Sequence, residues 1–154
     1  MRGKQIVSAV SPEAGKNVRA GMPLAEAKAR CAGVMALAAK AEEDRRGLEA
    51  LGRWMMRFSP NVSIDPPSAI IMDARGLERL HGGLEELSER VKRRLGGLGI
   101  AAGVVIAPTA GAAWAIAGYG RPARGVVKEE DLIERLGELP VESLRLEGWV
   151  VLRL

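Results

Sequence analysis

Phe58-Ser59-Pro60-Asn61-Val62-Ser63-Ile64-Asp65-Pro66-Pro67-Ser68-Ala69-Ile70-Ile71-Met72-Asp73 is the stretch from which the architecture unfolds. Two strand-like pieces, Val62 to Asp65 and Ala69 to Asp73, flank Pro66-Pro67. Proline cannot donate to a central ladder, so a bulge, a turn or a sheet edge must separate them. Before this stretch, Glu42 to Phe58 sets Leu48, Leu51, Met55 and Phe58 on one helical face, which Trp54 widens. After it, Leu84 to Leu98 repeats apolar residues at Leu84, Leu87, Val91, Leu95 and Leu98 with Glu and Arg between them, the pattern of a surface helix packed on one side. Ile100 to Ala107 is a nearly continuous apolar run without charge, which predicts a strand covered on both faces. Pro108-Thr109 then punctuates the chain before a helix of small residues, Ala110 to Tyr119. Gly125-Val126-Val127 and a helix from Glu129 to Leu136 follow. This alternation argues for helices layered on a sheet, in an α/β or α+β arrangement.

Towards the N-terminus, Lys4 to Val10 alternates weakly and predicts a strand, and Ser11-Pro12-Glu13-Ala14-Gly15 predicts a turn or short helix. Gly21-Met22-Pro23 introduces a helix over Leu24 to Cys31, where an early proline loses no hydrogen bond. Gly33 ends that helix, and Val34-Met35-Ala36-Leu37 reads as a brief strand.

The chain has 154 residues, 47% of them hydrophobic, enough apolar material for one compact domain with or without a small appendage. No apolar run reaches the length of a spanning helix, and Met1-Arg2-Gly3-Lys4 carries no apolar signal core, so no membrane partner and a cytoplasmic location are expected. One cysteine, Cys31, and one histidine, His81, give no zinc cluster; Cys31 reads as a small buried hydrophobe. The net charge of +4 is unevenly placed: residues 1–60 hold 11 Lys/Arg against 6 Asp/Glu, and residues 61–154 hold 12 against 13. Such an N-terminal excess suits phosphate contact and equally an ordinary solvated surface. Aromatics at 3% give little support to base stacking.

Three motifs resemble the Y-family (UmuC/DinB-like) translesion DNA polymerases, and more closely their polymerase-like ImuB-type relatives. Asn17-Val18-Arg19-Ala20-Gly21-Met22-Pro23-Leu24-Ala25-Glu26-Ala27 resembles the fingers segment. Phe58 to Asp73 resembles the palm strands, with Leu80-His81-Gly82-Gly83 where ImuB-type proteins often carry Phe-Gly-Gly. Ala107-Pro108-Thr109-Ala110-Gly111-Ala112-Ala113-Trp114-Ala115 resembles the helix after the core strand. The resemblance implies an α+β fold: a ferredoxin-like palm remnant, with an antiparallel or mixed sheet and two packed helices, plus a small helical fingers-like segment. The corresponding boundaries are 1–45 for the fingers, 46–146 for the palm and 147–154 for a tail at the start of a missing thumb. Leu139 to Leu144 resembles the beginning of that thumb, and Glu147 to Leu152 turns strand-like. By the same comparison the first palm strand, the thumb, the little finger and a clamp-binding tail are missing, which predicts a fragment or shortened relative with an unpaired sheet edge.

The family's phosphoryl transfer needs two divalent cations held by closely placed carboxylates. One of the three acidic positions would precede residue 6, where Met1 to Gln5 has no acid. The other two are an adjacent Asp-Glu. Aligned on Asp65, the partner position is Pro66; aligned on the strand end at Asp73, the positions fall on Ser68 and Ala69. Neither register gives a pair, and a lone Asp65 would hold Mg²⁺ weakly, as that ion seeks several oxygen ligands. Its alternative role is a capped or solvated turn residue. Where the fingers of the family carry Tyr and Arg this chain has Pro12 and Gly15, and the palm lysine falls on Trp114, while Lys16 remains. The resemblance therefore implies no catalysis and no cofactor, with Mg²⁺ relevant only to a residual polymerase.

Lys16, Arg19, Lys28 and Arg30 are the DNA-binding candidates, because the matching fingers region lies near template in the family. The implied partners are damaged or primer-template DNA, a translesion polymerase with its accessory protein, and the sliding clamp. The implied role is a DNA-binding adaptor in damage tolerance and SOS-type mutagenesis; its rivals are a residual nucleotidyltransferase and an interaction fragment that does not touch DNA. Gly82-Gly83 and Gly96-Gly97 lack the context of a phosphate loop and read as turns. His81 reads as a packing residue in place of an aromatic, and Arg90, Lys92, Arg93 and Arg94, beside Glu85, Glu86 and Glu89, as a solvated face set against a nucleic-acid contact.

Overall fold

The computed structural model describes residues 17–18, 21–120 and 124–145. The expected strand over Lys4 to Val10, the turn at Ser11 to Gly15 and the strand-like Glu147 to Leu152 lie outside the described residues. The chain divides into two compact units, Met1–Glu43 and Asp44–Leu154.

In the first unit, α1 spans Leu24–Arg30. Pro23 stands just ahead of it, where its missing N–H is no loss, and its carbonyl accepts the first helical bond from Ala27 N–H at 3.0 Å. Val34 to Leu37 forms no strand, contrary to expectation: Met35 and Leu37 are 82% and 84% exposed and nothing described pairs with them. A short apolar run becomes a strand only where an edge accepts it.

Helix α2, Ala41–Met55, leads into the second unit. It stops earlier than the apolar periodicity suggests, because the bond from Phe58 N–H to Met55 O at 2.9 Å tightens the last residues into a turn. Phe58 stays buried even so. Strand β1, Val62–Asp65, pairs antiparallel with β2, Ala69–Met72, in the register Val62↔Met72, Ser63↔Ile71, Ile64↔Ile70, Asp65↔Ala69. The proline pair is thus a hairpin turn. Because strand side chains alternate, Val62, Ile64, Ile70 and Met72 share one face, and Ser63, Ile71, Asp65 and Ala69 share the other.

A short helix, α3 (Glu78–His81), ends at Gly82 with φ 80°, a left-handed conformation that glycine takes without a Cβ penalty. Helix α4, Leu84–Gly97, buries Leu87, Ser88, Val91 and Leu95. Three of these join Met55 and Phe58 in the main core, against which Leu51, Trp54, Val62, Ile70, Met72, Val104 and Ile106 pack. Burying each large apolar side chain contributes roughly 1.5–3 kcal/mol. Strand β3 covers only Val104–Ile106 of the predicted Ile100 to Ala107; Ala101, Ala102 and Gly103 are exposed, having little apolar surface to drive them inward. It pairs in parallel with β4, Arg124–Val126.

Helix α5, Ala110–Tyr119, starts where Thr109 Oγ1 accepts from Ala112 N–H at 3.2 Å, a side-chain cap worth about 1 kcal/mol. Its small residues let it approach β3 and β2 closely, and Ala112, Ala115 and Ile116 are buried. Helix α6 is Leu132–Gly137, shorter than expected because Asp131 N–H bonds to Lys128 O in a preceding turn; a 3-10 turn, Val141–Leu144, follows. The fold is α+β. Among the described residues its strands form two ladders, one antiparallel and one parallel, instead of one continuous sheet.

Candidate functional site

The β1–β2 turn opens into a cleft of about 260 Å³ lined by Asp65, Pro66, Pro67, Ser68, Ala69, Trp114 and Arg145. Both sequence registers for the degenerate acidic pair therefore land in one place: Asp65 and Pro66 from the first, Ser68 and Ala69 from the second. Asp65 reaches the cleft because strand alternation turns it away from the core, opposite Ala69.

Its carboxylate does not face an open space. Arg145 Nη2 donates to Asp65 Oδ2 in an ion pair, and the same guanidinium lies over the Trp114 ring, 4.0 Å from its centroid. Trp114 in turn meets Tyr119, with ring centroids 5.8 Å apart. Arg145 follows the Val141–Leu144 turn with φ 57°, a left-handed conformation unusual for a residue with a Cβ. It is a site residue that sequence reasoning missed, since no spacing signal links positions 80 residues apart.

The pair of divalent cations implied by the polymerase resemblance does not fit this donor set. The lining offers one carboxylate, and a guanidinium already neutralises it. Mg²⁺ requires several oxygen ligands in near-octahedral array. Among the described residues no group of three or more His, Cys, Asp or Glu side chains is placed to hold a metal.

Asp73, the alternative anchor, is committed elsewhere. Its carboxylate accepts from Arg75 N–H at 3.0 Å and from Arg75 Nη2 at 2.6 Å. The side-chain hydrogen bond from Arg75, followed by the backbone one, lowers the Asp73 pKa to about 2. Its own carbonyl accepts from Ser59 Oγ at 2.7 Å, tying the strand end to the turn before β1.

Of the DNA-binding candidates, Lys28 and Arg30 are exposed on α1, and Arg30 pairs with Glu26 at 2.8 Å. Two residues apart on a helix, they point to different sides. Lys16 and Arg19, like Pro12 and Gly15, lie outside the described residues. His81 is buried, with Nε2 3.1 Å from Phe58 O, so it packs and pins the chain just before β1.

Residues 1–118 match the impB/mucB/samB family. Two curated relatives, both named Protein ImuB and from two strains of Caulobacter vibrioides (NA1000 and CB 15), are each 40% identical over 103 residues. That alignment covers 67% of this chain and 22% of each relative, so the chain spans about a fifth of their length. No solved structure matches significantly. With a family match across most of its length and the motifs of the fingers, palm strands and following helix in order, this chain belongs to the impB/mucB/samB family, whose members are UmuC-like relatives of the Y-family polymerases.

Proposed function

We propose that this chain is the fingers-and-palm portion of a non-catalytic, ImuB-type protein acting in bacterial DNA damage tolerance and translesion synthesis. In this reading it is a DNA-binding adaptor of SOS-type mutagenesis. It helps bring a translesion polymerase, an accessory protein and the sliding clamp to damaged or primer-template DNA in the cytoplasm, at the nucleoid when engaged. Residues 1–45 serve as fingers and residues 46–146 as palm, with DNA contact through Lys16, Arg19, Lys28 and Arg30.

The observation that supports the non-catalytic part is the Asp65–Arg145 ion pair. A polymerase palm concentrates negative charge so that divalent cations enter. Here the lone carboxylate is matched by a guanidinium from the same chain, and Pro66, Ser68 and Ala69 supply no second acid. The family membership and the ImuB-named relatives support the damage-tolerance part.

Two measurements on the purified chain test the proposal. Primer extension with Mg²⁺ and all four deoxynucleotides should give no product; extension abolished by Asp65→Ala would make the chain a residual polymerase instead. Fluorescence anisotropy of a labelled primer-template should show binding that weakens steeply with salt and with neutralisation of Lys16, Arg19, Lys28 and Arg30, because phosphate contacts release counterions. Absence of binding at low salt would leave an interaction fragment that does not touch DNA.

A further inference from the structure

A second concavity lies within the Asp44–Leu154 unit, on the seam between the end of α2 and the second half of α4. Its volume is about 690 Å³, and Trp54, Arg57, Arg90, Arg93, Arg94, Gly97 and Leu98 line it. The sequence explains the convergence. Arg90, Arg93, Arg94 and Gly97 follow the i, i+3, i+4, i+7 spacing of one helical stripe, and Trp54 and Arg57 are one turn apart where α2 ends. Four guanidiniums therefore face one hollow whose lining has no carboxylate.

A solvated basic face would have its charges outward and balanced. Here one α4 acid reaches the stripe: Glu86 pairs with Arg93 at 3.6 Å, both side chains being well exposed. Arg90 is half-buried, and among the described residues neither its guanidinium nor that of Arg94 has a hydrogen bond or ion pair. Half-burying an arginine without a counter-charge is unfavourable, and an incoming anion relieves it. The hollow also has an apolar component. Leu98 is 53% exposed at its rim, and Trp54 forms part of its wall.

We propose that this hollow docks an acidic segment of a partner protein, one that presents carboxylates to Arg90, Arg93 and Arg94 and an apolar side chain to Leu98 and Trp54. This rests on the adaptor reading above and names one of its protein-contact surfaces. Arginine and tryptophan are the residues that most often dominate protein interfaces, and the planar guanidinium fork matches a carboxylate bidentately. A nucleic-acid strand fits less well. The Trp54 ring is roofed by Arg57, whose Cζ is 4.3 Å from the centroid, and packs edge-on with Phe58, so a base would have to displace Arg57 to stack there. A phosphodiester backbone also has no apolar group for Leu98.

The test is fluorescence polarisation of a short labelled peptide rich in glutamate with a central leucine, titrated with the whole chain. The comparison probes are the glutamine version of that peptide and an oligothymidylate of equal charge. The expected result is saturable, salt-sensitive binding of the acidic peptide that neither its glutamine version nor the oligothymidylate displaces, weakened about tenfold or more by Arg90→Gln with Arg94→Gln and weakened by Leu98→Ser. Lys28→Gln with Arg30→Gln should leave it unchanged. Circular dichroism of each variant verifies folding, which these exposed or half-exposed positions should preserve. Peptide binding indifferent to the arginine changes, or none, overturns the proposal; oligothymidylate competing at equal affinity also overturns it and gives the hollow to phosphate. The primer-template titration runs separately with Lys28 and Arg30 variants, so failure of one reading does not mask failure of the other.

Discussion

The guanidinium of Arg145 lies 4.0 Å above the Trp114 ring while it donates to Asp65. By resemblance Trp114 falls at the position of the polymerase palm lysine; in this chain the cation beside that ring is Arg145, and Asp65 neutralises it. The partners are 44% and 28% exposed, which limits the ion pair to under about 1 kcal/mol. The ring contact adds about 0.5–1 kcal/mol. Arg145→Ala should therefore destabilise the chain by about 1 kcal/mol in urea denaturation, and a cycle with Asp65→Asn should return a positive coupling. Arg145→Gly should be less harmful than Arg145→Ala, because glycine accepts φ 57° without strain. Glycine and alanine variants of equal stability would contradict that backbone assignment.

Gly52 makes the close approach of α2 to β1 possible. A Cβ there would stand 2.9 Å from Ile64 Cγ2, a methyl on a stiff β-branched side chain. Alanine gains up to about 1 kcal/mol of helix propensity, but overpacking costs about 1–3 kcal/mol. Gly52→Ala should thus be net destabilising. In an Ile64→Ala background the sign should reverse, since the added methyl then fills space. Denaturant titration of the four proteins gives both values, and a stabilised single variant would show that the two elements do not approach this closely.

The apolar face of Leu48, Leu51, Met55 and Phe58 and the stripe of Leu87, Val91 and Leu95 were readable in the sequence because burial imposes a helical period. Pro66-Pro67 was readable as a break because proline lacks a donor. Local patterns could not tell that Val34 to Leu37 would find no edge, or that the Ile100 to Ala107 run would pair only over Val104–Ile106. Both depend on what lies alongside. At the cleft, resemblance to a motif singled out Asp65, Pro66, Ser68 and Ala69, which line it together, but nothing singled out Arg145. An ion pair closed by tertiary packing leaves no trace in spacing, and the same holds for the joining of Trp54 and Arg57 with the α4 arginines.

The His81 ring makes one hydrogen bond among the described residues and leaves another unmade. Phe58 O can only accept, so Nε2 carries the proton and donates, and Nδ1 is buried with no partner among the described residues. Replacing it by phenylalanine, the aromatic that the resemblance suggests, removes the orphaned nitrogen but also the bond to Phe58 O. These changes oppose each other at about 1–3 kcal/mol each, so His81→Phe should stay within about 1 kcal/mol of the parent chain. His81→Ala loses both the bond and the packing and should cost about 2 kcal/mol or more. Thermal melts of the two variants check the order; a phenylalanine variant as damaged as the alanine one would mean that the hydrogen bond, and not the packing, is what His81 supplies.

Asp73 and Arg75 give the chain a pH dependence in which acid lowers stability. Hydrogen bonds from Arg75 lower the folded-state pKa of Asp73 to about 2, against an ordinary value of 3.8. Between those values the unfolded chain binds the proton more readily than the folded one, so acid favours unfolding. The contribution is complete above the ordinary carboxylate value and is lost as pH falls towards 2. Arg75 is 91% exposed, which makes the pair open to screening and its effect on stability small. The direct observable is the Asp73 carboxyl carbon followed by NMR, which should titrate at about 2 in low salt and move upward in high salt or in Arg75→Gln. Titration near the ordinary value in the parent chain at low salt would mean that the pair does not persist in solution.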